Sequence, residues 1–150
     1  MIINFDKLVN EGIKELNIEE NMMGFDVDTF KIKDLIKYEG KVRIDGDEGK
    51  IKLEIKYTFN DNCDRCLREI SKEELISFNR SYLIKEEKSV DLDKEVKESI
   101  LLNKPSKVLC NIDCKGLCDK CGKNLNDGPC ECEKEEINPK FEKLKELLNK

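Results

Sequence analysis

The sequence predicts an α+β protein with an antiparallel β-sheet, a few helices and a cysteine-rich module at its C-terminal end. Two observations predict this fold class. Apolar residues alternate with polar ones over long stretches between residues 25 and 84, which is typical of half-buried strands. Six of the eight cysteines then crowd into "CNIDCKGLCDKCGKNLNDGPCEC", residues 110–132. The module is zinc-ribbon-like, and the sheet could curl into a barrel-like shape.

The N-terminal quarter of the chain has the weakest apolar periodicity. Its apolar spacing predicts one or two helical turns, carried by Phe5, Leu8, Val9 and Ile13. The stretch "FDVDTFKIK" then alternates with one break of phase, which predicts a bulge or a bend.

The clearest element is "KVRIDGDEGKIKLEIKYTF", where strict alternation lies on both sides of a Gly/Asp turn. This pattern predicts a β-hairpin with one buried face and a turn through "DGDEG". The second strand runs directly into "CDRC", at Cys63 and Cys66, and alternation then resumes over Ile76, Phe78, Tyr82 and Ile84. The "CDRC" segment therefore lies at a reversal between two long strands, in a sheet of four or more strands.

Two helices are expected after the sheet. Asp91 is suited to cap a helix near residues 91–102, and Pro105 prevents its continuation. A second helix is predicted near the C-terminus, where Asn138 would be the N-cap and Pro139 the first helical residue. Its apolar face would carry Phe141, Leu144 and Leu148. We therefore expect a β-rich domain over residues 1–105 and a zinc-binding module with a helix over residues 106–150.

The amino-acid composition limits the classes of function that the protein can have. The chain has 150 residues, of which 38% are hydrophobic and 41% charged, so its core is small and a disulfide or metal staple is expected. The N-terminal segment does not resemble a signal peptide, and no apolar run is long enough to span a membrane, so we expect a cytoplasmic protein. Thiols are kept reduced there, which favours metal binding over disulfides. Histidine is absent, which removes His-based catalysis.

The cysteine spacing predicts two Cys₄ zinc sites. Cys118, Cys121, Cys130 and Cys132 form C-x₂-C-x₈-C-x-C, a compact loop with a full ligand set. Gly122 stands where the chain must fold back over the sulfur, and glycine tolerates the positive φ that this can require.

The other four cysteines would form the second site and tie the sheet to the module. They are Cys63, Cys66, Cys110 and Cys114. A site that combines Cys114, Cys118 and Cys121 with one distant thiol is a competing arrangement. An iron–sulfur cluster and a thiol-redox role for Cys63 and Cys66 also remain open, although zinc fits the spacing better.

No catalytic constellation is recognisable. A catalytic zinc keeps one coordination position open, whereas eight cysteines divide into two closed sites. The carboxylates fall mainly in Lys/Glu-rich stretches, where solvated surface is the simpler interpretation. We therefore predict that the protein is not an enzyme and has no small-molecule substrate.

The motifs resemble a known family. "CDRCL", then "CKGLCDKCGKNLNDGPCEC" and "INPKFEKLKEL", are similar to the YceD family, also called DUF177, of large ribosomal RNA subunit accumulation proteins. The resemblance covers most of the chain. Asn138 and Lys140 stand where typical members have Asp and Arg. The resemblance implies a bacterial, non-catalytic factor for 23S rRNA accumulation and biogenesis of the large (50S) ribosomal subunit.

The resemblance leaves the partner open between a precursor of large-subunit rRNA, a large-subunit ribosomal protein and another assembly factor. Basic residues flank both cysteine pairs and are candidates for partner or RNA contact: Arg65, Arg68, Lys115, Lys120 and Lys123. They could equally be ordinary solubilising charges, because acidic residues stand among them. The net charge of −5 limits RNA binding to local contacts and suits a basic protein partner at least as well. A zinc-stapled interaction module in another pathway is a further alternative.

Overall fold

The structure is a computed structural model that describes residues 1–28 and 30–132. Over these residues the chain forms eight strands, two α-helices and a short 3₁₀ turn. In chain order the elements are β1 (Ile2–Asn4), α1 (Phe5–Asn10), β2 (Glu15–Met22), β3 (Asp26–Val27), β4 (Phe30–Lys31), β5 (Ile36–Asp45), β6 (Glu48–Asn62), β7 (Glu69–Leu83), β8 (Ser89–Asp91), α2 (Leu92–Leu102) and the 3₁₀ turn (Leu125–Asp127).

Strand β6 is the centre of the main antiparallel sheet. It pairs with β5 through a tight hairpin in which Asp45 lies opposite Glu48. It also pairs with β7 along its whole length, from Glu48 opposite Leu83 to Asn62 opposite Glu69. The predicted hairpin and the strand reversal at "CDRC" are confirmed, although the hairpin turn is narrower than the predicted "DGDEG".

The sheet is open rather than barrel-like. Strand β2 pairs only with β5, and β7 pairs only with β6, so that β2 and β7 form two edges that do not meet within the described residues. The short β3–β4 hairpin joins β6 where Lys31 lies opposite Asn60. The α+β class and the antiparallel sheet are confirmed, whereas closure into a barrel is not part of the fold described here.

One face of the sheet is buried, and α2 packs close to it. The alternating residues of β6 supply much of this face, and they are Ile51, Leu53, Ile55, Tyr57 and Phe59. Helix α2 buries Leu92, Val96 and Ile100, which recur every fourth residue as predicted. The side chain of Asp91 accepts a hydrogen bond from the backbone N–H of Asp93, so that the predicted N-cap is confirmed.

Three features of the N-terminal part differ from the predicted pattern. Helix α1 includes the predicted turns but ends at Asn10, before Ile13. The segment Glu15–Met22 is a full edge strand that the sequence did not indicate, because its outward positions are polar. The predicted bulge or bend in "FDVDTFKIK" is a full chain reversal between β3 and β4, with Asp28 at a φ of 53°.

A second, smaller sheet joins the two ends of the β-rich part. Strands β1 and β8 pair, with Ile3 opposite Val90, and both side chains are buried. Ring packing extends this region, because Phe5 lies 5.9 Å from Tyr82 between ring centroids.

The predicted terminal helix, with Asn138, Pro139, Phe141, Leu144 and Leu148, lies outside the described residues. No helix among residues 1–28 and 30–132 is long and apolar enough to cross a membrane.

Candidate metal centres

The first cysteine pair lies in a six-residue turn, Cys63–Arg68, between the ends of β6 and β7. The backbone N–H of Leu67 donates to the carbonyl oxygen of Cys63 at 2.8 Å, and the N–H of Cys63 donates to the carbonyl oxygen of Arg68 at 2.9 Å. Backbone groups of Arg65 and Cys66 also hydrogen-bond the Cys63 sulfur. We call this segment the first knuckle.

The second pair repeats this geometry in Cys118–Lys123, which we call the second knuckle. The N–H of Gly122 donates to the carbonyl oxygen of Cys118 at 2.9 Å. The N–H of Cys118 donates to the carbonyl oxygen of Lys123 at 2.8 Å. Backbone groups of Lys120 and Cys121 hydrogen-bond the Cys118 sulfur. The two segments, "CDRCLR" and "CDKCGK", share an Asp and two basic positions besides the Cys-x-x-Cys spacing, and they fold into the same local structure.

The knuckles differ at the residue after the second cysteine. Gly122 has a φ of 71°, and Leu67 at the equivalent position has a φ of 57°. A left-handed backbone costs a residue with a Cβ about 1–2 kcal/mol, whereas glycine adopts it freely. Leu67 is also 65% exposed, so core packing does not explain its presence.

The first four-cysteine group joins the first knuckle to the start of the cysteine-rich segment. Cys63 Sγ lies 3.7 Å from Cys114 Sγ, and Cys66 Sγ lies 3.6 Å from Cys110 Sγ. All four sulfurs lie within 4.8 Å of one another. Cys63, Cys66 and Cys114 are buried, and Cys110 is half-buried. This group therefore forms a small second core at the end of the sheet.

Two hydrogen bonds hold the late segment against the first knuckle. The backbone N–H of Val108 donates to Asp64 Oδ2 at 2.6 Å, and the N–H of Asp64 donates to the carbonyl oxygen of Val108 at 2.8 Å. Because Val108 lies just before Cys110, these bonds bring the later sulfurs to the earlier ones.

The second four-cysteine group is formed within the cysteine-rich segment alone. It contains Cys118, Cys121, Cys130 and Cys132, whose sulfurs also lie within 4.8 Å of one another. The Cys118 and Cys130 sulfurs are 3.5 Å apart. Cys121 is exposed, so that this group lies closer to solvent than the first.

The sulfur separations match the requirement of a tetrahedral ion. Four thiolates at about 2.3 Å from one Zn²⁺ lie about 3.8 Å from each other. The close pairs here lie at 3.5–3.7 Å, and all eight cysteines are free rather than bridged. Each group could therefore hold a metal ion, with sulfur as the donor. Cys114 lies in the first group, so the competing arrangement with Cys118 and Cys121 is not the one that the fold brings together.

The thiol pKa values are spread within each group. Burial acts to raise the pKa of Cys63, but backbone hydrogen bonds from Cys110, Cys66 and Arg65 prevail and lower it to about 6. Backbone hydrogen bonds from Cys121 and Lys120 lower the pKa of Cys118 to about 7.

Two other thiols, one in each group, have a raised pKa. Hydrogen bonding to Cys114, with burial second, raises the pKa of Cys110 to about 12. Hydrogen bonding to Cys121, again with burial second, raises the pKa of Cys132 to about 12. In each group, ionised sulfur therefore suppresses the ionisation of a neighbouring thiol, and a cation among the sulfurs would remove that suppression.

The two arginines predicted to contact a partner are engaged within the protein. Arg65 Nη1 donates to the carbonyl oxygen of Cys114 at 2.8 Å. Arg68 Nη2 donates to Asp127 Oδ1, also at 2.8 Å. Both bonds link the first knuckle to the cysteine-rich segment.

The three lysines lie on the surface of the cysteine-rich segment. Lys123 Nζ donates to the carbonyl oxygen of Pro129 at 2.9 Å. Lys115 and Lys120 are exposed. The structure thus groups these lysines around the second knuckle, and their contact with a partner stays a prediction.

Sequence reasoning missed Asn126, whose side chain touches the first group. Its Nδ2 donates to Cys114 Sγ at 3.3 Å, although Asn126 belongs to the 3₁₀ turn near the second group. The motif "KNLN" is part of the family resemblance, but nothing in the spacing indicates that this amide reaches a distant sulfur.

The fold and the cysteine groups define a class: an antiparallel α+β protein with two four-sulfur groups suited to structural metal ions. The comparison with known families is more specific. The sequence model described as "Large ribosomal RNA subunit accumulation protein YceD" matches residues 73–148, which is just over half of the chain. The chain therefore belongs to the YceD family.

A curated relative supports this membership. It is the "Large ribosomal RNA subunit accumulation protein YCED homolog 1, chloroplastic" of Arabidopsis thaliana, 39% identical over 51 residues. The matched segment covers 34% of this chain and 16% of the relative, so the chain spans only a small part of that protein. No solved structure matches the chain.

Proposed function

We propose that this protein is a non-catalytic factor for the accumulation of large-subunit (23S) rRNA during biogenesis of the 50S ribosomal subunit. The observation that carries the proposal is membership of a family described by that role. The relative from Arabidopsis thaliana is named for the same role. The two sulfur groups supply no nucleophile paired with a general base, which supports a binding rather than a catalytic function.

In this proposal both four-cysteine groups hold Zn²⁺. Cys63, Cys66, Cys110 and Cys114 bind one ion, and Cys118, Cys121, Cys130 and Cys132 bind the other. Four sulfur donors at tetrahedral spacing suit zinc and leave no coordination position for water. The ions are therefore structural, and the ion in the first group fastens a module over residues 106–150 to a β-rich domain over residues 1–105.

We favour a basic protein as the partner, such as a large-subunit ribosomal protein or an assembly factor. The chain carries a net charge of −5, and each Cys₄ zinc site adds about two further negative charges. Arg65 and Arg68 already donate hydrogen bonds within the protein. Electrostatic complementarity therefore favours a positively charged protein over bare RNA.

The test combines a cellular and a biochemical measurement. Cells lacking the protein should accumulate less 23S rRNA, and the wild-type gene should restore it. Protein crosslinking should recover a basic large-subunit factor, while ultraviolet crosslinking should recover little RNA. Unchanged 23S rRNA in the deletion would refute the proposed role. Strong RNA crosslinks at Lys115, Lys120 or Lys123 would refute the protein-partner part alone.

A thiol-redox role is the second candidate, because the lowered pKa of Cys63 is also a property of reactive thiols. Because Cys63 is buried, its sulfur is poorly accessible to an external disulfide, which argues against this role. Alkylation with and without a chelator distinguishes the two functions. We expect Cys63 and Cys66 to react only after the metal is removed, whereas a redox dithiol would react in the native reduced protein.

A further inference from the structure

The carboxamide of Asn126 holds the Cys114 end of the first group. Its Nδ2 donates to Cys114 Sγ at 3.3 Å, and its Oδ1 accepts from the backbone N–H of Lys115 at 2.9 Å. Asn124 Oδ1 accepts from both the Nδ2 and the backbone N–H of Asn126, at 2.8 and 3.0 Å. Asn124 therefore holds the Asn126 side chain in place, and Asn126 in turn holds the Cys114 sulfur.

Asn126 depends on the loop of the second group for its position. The 3₁₀ turn Leu125–Asp127 lies between Cys121 and Cys130, two of the sulfurs in that group. The turn is attached through the N–H of Leu125, which donates to the carbonyl oxygen of Gly116 at 2.9 Å. An ion that closes the loop between Cys121 and Cys130 therefore orders the turn that carries Asn126.

Two arginine contacts run between the same two groups. Arg65, inside the first knuckle, bonds the carbonyl oxygen of Cys114. Arg68, at the end of that knuckle, bonds Asp127 in the 3₁₀ turn, one residue after Asn126. The second pair is exposed, so it contributes less than the buried contacts around Cys114.

We propose that Asn126 couples the two metal groups, so that an ion in the second group raises the affinity of the first. Asn126 is a positioning residue: it holds Cys114 and donates to its sulfur, and it binds no metal itself. This inference rests on the proposed function, because it requires that both groups bind ions. Changes to hydrogen-bonding partners of metal ligands typically weaken affinity 10- to 100-fold, and we expect about tenfold here. Because coupling is reciprocal, an ion in the first group must favour the second equally.

The experiment is a double-mutant cycle on metal affinity. Reduced, metal-stripped full-length protein is titrated with Co²⁺, and with Zn²⁺ against a chromogenic chelator. Asn126→Ala and Asn126→Asp are each measured in the wild-type background and in a background that lacks the second site, Cys121→Ser with Cys132→Ser. Asn79→Ala, an exposed asparagine on β7, is the control.

In the wild-type background, Asn126→Ala should weaken the first site about tenfold. Asn126→Asp should weaken it at least as much, because a carboxylate replaces the N–H beside the sulfur. In the background without the second site the first site should already be weaker by a similar factor, and Asn126→Ala should add less than about twofold. The thiolate-to-cobalt absorption of the two-ion protein should shift for Asn126→Ala and not for Asn79→Ala.

Each alternative result has a distinct meaning. An equal loss in both backgrounds would overturn the coupling, because Asn126 would then act on Cys114 without the second group. An absence of any loss would overturn it as well. Wild-type protein that binds fewer than two ions would overturn the metal sites of the proposed function together with the coupling. Far-UV circular dichroism of every variant establishes that the sheet is folded.

Discussion

Removing the late ligands of the first group should lower the free energy of unfolding by about 4 kcal/mol. The double variant Cys110→Ser with Cys114→Ser abolishes the connection between the late segment and Cys66. That connection spans 44 residues between Cys66 and Cys110. If zinc stays bound to the unfolded chain, the loop-closure relation assigns about 4 kcal/mol to a cross-link over a loop of this length at 25 °C. Zinc-loaded wild type and variant are compared by urea denaturation, followed by the fluorescence of the three tyrosines in the sheet, Tyr38, Tyr57 and Tyr82.

The matched control removes two ligands from the second group, Cys130→Ser with Cys132→Ser. This group closes a loop inside the module, so its loss does not release the sheet from the module. We expect a smaller fall in the free energy of unfolding than in the first-group variant, because the same relation assigns only about 2.6 kcal/mol to the short loop between Cys121 and Cys130. Equal losses in both double variants, or a first-group variant as stable as wild type, would refute the assignment of a long-range cross-link.

Three further predictions concern stability. Leu67→Gly should change the midpoint of urea denaturation little, because relief of about 1–2 kcal/mol of left-handed strain offsets the flexibility of glycine. Leu75→Gly, equally exposed but in the extended β7, should cost about 1 kcal/mol, and similar losses in both variants would contradict the strain. Arg80→Ala should cost about 2 kcal/mol in thermal and urea denaturation, because Arg80 is bonded to the largely buried side chain of Glu95. Adding Glu95→Gln should recover most of that loss, and no recovery would exclude an unpaired charge as its cause. In metal-stripped protein, stability should rise between pH 6 and 9, because the Cys63 thiol has a folded pKa of about 6 and is ionised there only in the folded state. Urea denaturation at three pH values measures this slope, which should become smaller in Cys63→Ser but not vanish, because the Cys118 thiol, with a folded pKa of about 7, also contributes.

Much of the sheet was predictable because β6 has one strictly buried face. Residues from Ile51 to Phe59 alternate without interruption, and a shift of one residue would expose them all. The start of α2 was predictable for a similarly local reason, since Asp91 caps the helix through its own side chain.

The missed elements depend on partners distant in sequence. Strand β2 has few apolar residues because it is an edge, and β5 provides its hydrogen bonds. Strands β1 and β8 are only three residues each and exist as a pair joined across the chain. Propensity and periodicity describe a segment alone, so such pairings leave little trace in the sequence.

The cysteine groups were partly predictable. Close spacing indicated the group around Cys118 and Cys121, whereas the pairing of Cys63 and Cys66 with Cys110 followed from the division of eight thiols into fours. The structure brings both sets together, and their role as ligands stays a prediction. The contacts of Arg65 and Asn126 could not be predicted, because each joins residues whose proximity arises only after both loops fold.

The order in which the knuckles leave the ribosome differs from the order in which their groups can be completed. The hydrogen bonds that shape the first knuckle lie within Cys63–Arg68, so this turn can form as soon as it emerges. The third ligand of its group, Cys110, follows Cys66 by 44 residues. At translation rates of about 5–20 residues per second, the two early thiols wait roughly 2 to 9 seconds for their partners. The second group spans only residues 118–132, so its sulfurs emerge almost together. During synthesis, Cys63 and Cys66 are therefore the thiols that most need a reducing environment.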